Sequence, residues 1–166
     1  MSHDPAAAQT TNNATAGVIA RPPLIFLAGL LLGLALDYLL PLRFDLLPTG
    51  LARWIIAAVL IIAGLAPFAA GIRNFLRAGT PVPTNEPTRA LVTTGIHAWT
   101  RNPIYVGFFL IYLGIAVAAR SPWILILIIP VALVMRYGVV AREEAYLERL
   151  FGEPYRAYKA RVRRWL

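Results

Sequence analysis

Residues 104–135 read IYVGFFLIYLGIAVAARSPWILILIIPVALVM, and the only charged side chain among them is Arg120. Arg120, Ser121 and Pro122 split the stretch, so it reads as two apolar helices, 104–119 and 121–135, joined by a tight hairpin. Each half falls slightly short of the roughly 20 residues that a full membrane crossing takes. Working outward, residues 54–71 form another uncharged run, with Pro67 placed to kink it. Residues 22–36, extended by 37–42, form a further run that opens on Pro22 and Pro23, which suit a first helical turn. The expectation is an all-α fold, a polytopic membrane helix bundle of about four transmembrane helices with a C-terminal cytoplasmic amphipathic helical segment.

Composition agrees. Of the 166 residues, 58% are hydrophobic and 14% charged, against roughly 25% charged in a soluble domain. One aqueous core of this size does not bury so much apolar surface. Residues 1–20 are small and polar and read as a disordered tail; without a positive start they do not read as a cleaved signal peptide. Residues 21–166 form a single domain. Residues 73–101 contain Thr80-Pro81-Val82-Pro83 and Asn85-Glu86-Pro87, which mark a loop.

The net charge is +8, and eight of the sixteen Lys and Arg lie between Arg136 and Arg164. They directly follow an apolar segment, so anionic lipid headgroups are the expected partner, and nucleic acid is not. With four crossings, thirteen basic residues gather on one side and three (Arg43, Arg53, Arg120) on the other. The positive-inside rule then puts both termini and the long loop in the cytoplasm, with the protein in the inner, cytoplasmic membrane.

Many chemistries are excluded. There is no cysteine, hence no disulfide, thiolate metal site or cysteine nucleophile. Ser2 and Ser121 are the two serines, Lys159 the one lysine, and His97 the one histidine outside the tail. No metal site is expected, and covalent catalysis by Ser or Lys has no support. What remains is chemistry in which the protein positions reactants around a reactive cofactor.

Three places attract attention. In residues 95–107, GIHAWTRNPIYVG, Asn102 suits an N-cap and Pro103 a first helical residue. The helix start, with Arg101 beside it, attracts a carboxylate or phosphate; equally, Arg101 could snorkel to lipid phosphate. Gly95 and Gly107 allow close approach of a ligand or helix. His97 reads either as a site residue or as a loop histidine in water. The second place is Glu143-Glu144. At 100° per residue both fall within about 60° of Leu147, on the apolar stripe with Leu150 and Phe151 and opposite Arg142, Glu148 and Arg149. A carboxylate on a packed face needs a positive partner, either a ligand or an arginine such as Arg136, Arg73 or Arg77. The third is residues 151–158, FGEPYRAY, where Gly152 ends one helix and Pro154 starts another. Tyr155, Tyr158, Val162 and Trp165 then form an apolar stripe with Arg156, Lys159, Arg163 and Arg164 opposite, the pattern of an interfacial amphipathic helix.

Together these pieces, with 91–95 (LVTTG), resemble the isoprenylcysteine carboxyl methyltransferase and phospholipid methyltransferase group, whose pattern runs R-[HN]-P-x-Y-x-G, then E-E-x-x-L, then F-G-x-x-Y-x-x-Y. The match covers residues 91 onward. His97 and Asn102 depart from it, since many relatives carry Tyr and His there, and Asn102 removes a titratable group. The resemblance implies an S-adenosylmethionine-dependent methyltransferase acting on a lipophilic methyl acceptor: an isoprenylcysteine-like carboxylate, a phospholipid amine or a small lipophilic molecule. It implies Arg101 and Glu144 as catalytic residues. It implies His97, Arg101, Asn102, Pro103, Tyr105, Gly107, Glu143 and Glu144 around the cofactor, with membrane lipids as partners and no metal. Two other readings stand beside it: a membrane NADPH-dependent sterol-type reductase, and a non-enzymatic membrane scaffold.

Overall fold

A computed structural model of the protein describes residues 15–42, 47–82 and 86–166. Helix α1 is Pro22–Leu39 and α2 is Gly50–Arg77; a 3₁₀ turn at Gly95–Ala98 precedes α3, Pro103–Ala119. Helix α4, Pro122–Leu133, passes through a π-helical stretch, Val134–Val140, into α5, Ala141–Phe151, and α6, Glu153–Arg161, follows. Among the described residues there is no strand beyond one isolated bridge, Thr100 to Arg163.

Three stretches are long and apolar enough to cross a membrane: Pro22–Leu39, Gly50–Arg77 and the continuous rod Pro122–Phe151; Pro103–Ala119 is a shorter apolar helix. Their outer faces stay apolar: Leu24, Leu31, Ile55, Val59, Ile62 and Ile129 are all exposed, as lipid contact requires. The bundle is a membrane helix bundle. Two expectations change. The fourth apolar run does not end near Met135, because the π stretch carries the same rod on to Phe151. Helix α2 runs through Pro67 to Arg77, so the loop starts after Arg77 rather than at Arg73.

Small residues set the helix spacing. The buried residues of α2 are Ala57, Gly64 and Gly71, one per seven. A Cβ on Gly71 would lie 2.7 Å from Ile104, one on Gly64 2.7 Å from the Gly107 carbonyl, and one on Gly114 3.0 Å from the Ala57 carbonyl. Helices α2 and α3 thus run antiparallel with backbones in near contact, the means by which helices associate in lipid, where burial of apolar surface supplies little drive. Helix α1 packs antiparallel on α4 in the same way: Gly33 meets Ile124, and Gly29 meets Val131 and Tyr112. Phe26, Tyr112, Ile124, Val131 and Met135 fill the space between.

The hairpin is built as read. Arg120 takes the left-handed conformation (φ 53°, ψ 38°) and the Ser121 hydroxyl accepts from Ile124 N at 2.9 Å, capping α4. The tail reading of residues 1–20 falls largely outside the described residues, but residues 17–19 touch the bundle. Ile19 N donates to the Gly138 carbonyl (3.1 Å), and Arg142 donates to the Gly17 carbonyl (2.9 Å). The segment before Arg21 is thus hydrogen-bonded to the π stretch and to the start of α5.

The α2–α3 contact yields a prediction. A Cβ at Gly107 would sit 2.6 Å from the Gly64 carbonyl, which no rotamer change relieves. Gly107→Ala should cost about 1–3 kcal/mol, lowering the thermal midpoint in detergent by roughly 3–10 °C. Ala63→Leu, on the exposed face of α2, should leave it unchanged.

Candidate active site

Four segments meet at the end of the bundle where α2 finishes and α3 begins. Asn74, near the end of α2, donates from Nδ2 to the Thr94 carbonyl (2.8 Å) and lies 3.3 Å from His97 Nδ1. It accounts for the close seat of Gly95, whose Cβ position is 2.6 Å from the Asn74 amide and whose φ is +59°. The His97 ring tilts on Phe75 at 4.9 Å and is only 2% exposed. With Nδ1 accepting from Asn74, the ring proton sits on Nε2. That nitrogen is buried without a hydrogen-bond partner among the described residues. Burial lowers the His97 pKa from 6.5 to about 4, so the ring is neutral at physiological pH.

Arg101 and Asn102 are fixed by an unexpected neighbour. Helix α6 ends at Arg161, where Val162 turns extended (φ −116°, ψ 131°) and residues 162–165 leave the helix axis. Arg101 N donates to the Arg163 carbonyl (2.9 Å), and Asn102 Nδ2 donates to the Arg164 carbonyl (2.9 Å). Trp165 packs edge-on against Phe109 of α3 at 5.9 Å. The amphipathic stripe expected through Val162 and Trp165 is therefore not one helix on the membrane surface. Tyr155 and Tyr158, 2% and 4% exposed, face the site; the Tyr158 hydroxyl donates to the His97 carbonyl at 2.7 Å. Burial pushes the Tyr155 pKa up to about 12 and raises that of Tyr158 further; both hydroxyls stay protonated.

Asn102 occupies the cap position of α3, yet its side chain makes no capping bond; its amide is instead oriented by donation from Nδ2 to the Arg164 carbonyl. The first turn of α3 keeps its N–H groups free of side-chain caps, with Pro103 contributing none.

Both glutamates turn inward. The Tyr105 hydroxyl donates to Glu143 Oε1 at 2.6 Å. Glu144, 7% exposed, accepts a fork from Arg164, Nε at 2.9 Å and Nη2 at 2.7 Å, and lies 3.1 Å from Arg101 Nη1. Its positive partners are thus Arg101 and Arg164, not Arg136, Arg73 or Arg77. The Arg101 side chain is 10% exposed. Its contact with Glu144 is a charge contact without hydrogen-bond alignment, so Nε and Nη1 remain buried with no hydrogen-bond partner among the described residues.

Of the expected site residues, His97, Arg101, Asn102, Pro103, Tyr105, Glu143 and Glu144 line one cavity, together with Phe75, Tyr146, Leu147, Tyr155 and Tyr158. Gly107 does not: it is spent on the contact with Gly64. Leu150, on the same computed stripe as the glutamates, stays 47% exposed, since α5 there has left the bundle interior. Sequence reasoning missed Arg164 and Asn74. No group of three or more His, Cys, Asp or Glu able to hold a metal occurs among the described residues.

The fold and site define a class: an all-helical membrane bundle with a charged, tyrosine-lined cavity at one end. The profile of the phospholipid methyltransferase family matches residues 52–154, well over half of the chain, and the chain belongs to that family. It is similar to the protein-S-isoprenylcysteine O-methyltransferases of Saccharomyces cerevisiae (34% identical over 77 residues, 46% of this chain and 32% of that protein) and of Homo sapiens (41% over 78 residues, 45% and 26%). It is also similar to an uncharacterized protein of Haemophilus influenzae, 40% identical over 69 residues, 42% of this chain and 84% of that one. The matched region spans about a quarter to a third of the two isoprenylcysteine methyltransferases. No solved structure matches the chain.

The His97 environment sets a pH dependence. The unfolded chain takes a proton on this imidazole near 6.5 and the folded one only near 4, so the unfolded state binds more protons between these values. The stability contributed by neutral His97 is complete above 6.5 and is lost as pH falls toward 4. Thermal midpoints measured from pH 7.5 to 4.5 should fall less steeply in His97→Gln than in the parent protein.

Proposed function

We propose that the protein is an integral membrane methyltransferase that uses S-adenosylmethionine and a lipophilic acceptor at the cytoplasmic end of the bundle. The observation that carries this reading is Arg101: a guanidinium nine-tenths buried, facing a cavity, with two N–H nitrogens uncommitted. Buried N–H donors without aligned acceptors cost free energy, and a ligand carboxylate, here that of the cofactor's amino acid part, would supply them. The open first turn of α3 adds to the same attraction.

The other donors and acceptors fit the rest of that cofactor. Glu143, whose partner is a neutral hydroxyl, supplies an acceptor for the cofactor's ammonium or ribose hydroxyls. His97 Nε2 supplies a buried donor, and Tyr155 and Phe75 supply aromatic walls. Glu144, taken from the resemblance as catalytic, is held by two guanidiniums, so its role is to anchor Arg101 rather than to touch the reacting atoms. Bound in this cavity, the cofactor supplies an activated methyl group. The residues around it need only hold the reactants in line and exclude water, which suits a chain without Cys and with few other nucleophiles.

Orientation follows from charge. In the antiparallel bundle the cavity end carries the thirteen basic residues read from the sequence, which favours the cytoplasmic side. Reporter fusions at Glu86 and Ser121 should give cytoplasmic and external signals respectively; the reverse would move the site to the wrong side for its cofactor.

Calorimetric titration of the purified protein in detergent with S-adenosylhomocysteine and with NADPH tests the function. Binding of the first and not the second is expected; the converse would favour a reductase, and binding of neither a scaffold. A charge-assisted hydrogen bond is worth about 1.5–3 kcal/mol, so Arg101→Ala should weaken S-adenosylhomocysteine by about ten- to a hundredfold. Arg101→Lys should weaken it less, keeping the charge and losing the fork. Arg120→Ala, at the opposite end, should bind like the parent. Equal affinity in Arg101→Ala and parent would remove this arginine from the site.

A further inference from the structure

We propose that Arg164 is a positioning residue that keeps Arg101 available to an anionic ligand by occupying Glu144; this rests on the cofactor reading above. The carboxylate of Glu144 stands between two arginines, 7% exposed. Arg164 takes both of its oxygens, at 2.9 and 2.7 Å, the planar fork that matches a carboxylate best. Arg101 is left with one unaligned approach at 3.1 Å and two buried nitrogens without hydrogen bonds. Glu144 therefore holds the Arg101 charge in place without consuming its donors.

The geometry also keeps Arg164 where it is. The carbonyls of Arg163 and Arg164 receive Arg101 N and Asn102 Nδ2, and Trp165 is seated on Phe109. Residues 162–165 thus tie the arginine to the start of α3 on one side and to α5 on the other. Were Arg164 absent, Arg101, already 3.1 Å from Glu144, would be the guanidinium free to turn its fork onto that buried carboxylate. The carboxylate would then compete with the ligand's own carboxylate for the same N–H groups. Arg164 acts by removing an internal competitor.

That account makes a prediction a merely structural role does not. Arg164→Ala should weaken S-adenosylhomocysteine by more than about tenfold, because a charge-assisted fork is diverted. Adding Glu144→Gln to that variant should restore affinity, since the neutral amide no longer competes; the double variant should bind within about threefold of Glu144→Gln alone. Arg164→Lys should fall between parent and Arg164→Ala, as an ammonium satisfies one oxygen and not both. All are read by calorimetry on the full chain in detergent, with thermal midpoints recorded alongside. Should Arg164→Ala fail to fold, the Lys variant and its combination with Glu144→Gln carry the same comparison. Parent-like affinity in Arg164→Ala, or a double variant as weak as Arg164→Ala, would overturn the proposal while leaving the cofactor reading intact. A parent protein that binds no S-adenosylhomocysteine would overturn both.

Discussion

Glu144 places a carboxylate at the inner face of a helix that has just left the apolar part of the bundle, and there it is nearly inaccessible to water. Such a group is tolerated only when cations desolvate with it. Two arginines do so, one just before α3 and one past the end of α6. The ion cluster is therefore a three-way joint between the start of α3, the body of α5 and residues 162–165. By the general behaviour of buried pairs it adds little net stability over an apolar replacement. Removing Glu144 alone would leave two guanidiniums without their counter-charge, at a cost of about 3–5 kcal/mol. Its consequence is placement: the three segments have one low-energy arrangement, and the cavity lies within it.

The joint can be this exact only because the helices beneath it are rigidly spaced. The contact of Gly71 with Ile104 lies one residue past Pro103 and three past Arg101. The contact that closes the α2–α3 seam is thus also what fixes the height of the site over the bundle. The end of α2 continues past that contact to Asn74 and Phe75, which hold His97 and the turn before Trp99. Backbone contact in the seam, a side-chain clamp on the 3₁₀ turn and the buried ion cluster form a continuous series from lipid to cavity.

Legibility follows the range of the interactions. The apolar runs, the Arg120–Pro122 hairpin and the start of α3 at Pro103 depend on composition and local sterics and could be read directly. The inward direction of Glu143 and Glu144 could be read too, since α5 is regular and its phase survives. The length of the last rod could not. A π stretch at Val134–Val140 has no compositional mark, and the charges after Met135 mimic the end of a span. Arg164 was hidden for a related reason. A helix continued from α6 puts it on the basic face with Arg156 and Lys159, and Val162 carries no Gly or Pro signal to break that helix. Only the tertiary pull of Glu144, Thr100 and Phe109 turns the chain. Asn102 and Gly107 show the complementary error: residue types suited to capping and ligand approach were claimed by the Arg164 carbonyl and by helix packing.

Adjacent carboxylates with separate surroundings give the site its asymmetry. Residues 143 and 144 are about 100° apart on the helix, so one faces the tyrosine of α3 and the other the two guanidiniums. Glu143 has a hydroxyl donor at 2.6 Å and, among the described residues, no arginine in an ion pair; Glu144 is paired with two arginines. Under the proposed cofactor reading, Arg101 would take a ligand's carboxylate and Glu143 its ammonium. Exchanging the two environments would place the uncommitted acid beside the uncommitted arginine, where they would satisfy each other and close the site. The fork of Arg164 on Glu144 and the hydroxyl of Tyr105 on Glu143 keep the two carboxylates in separate surroundings.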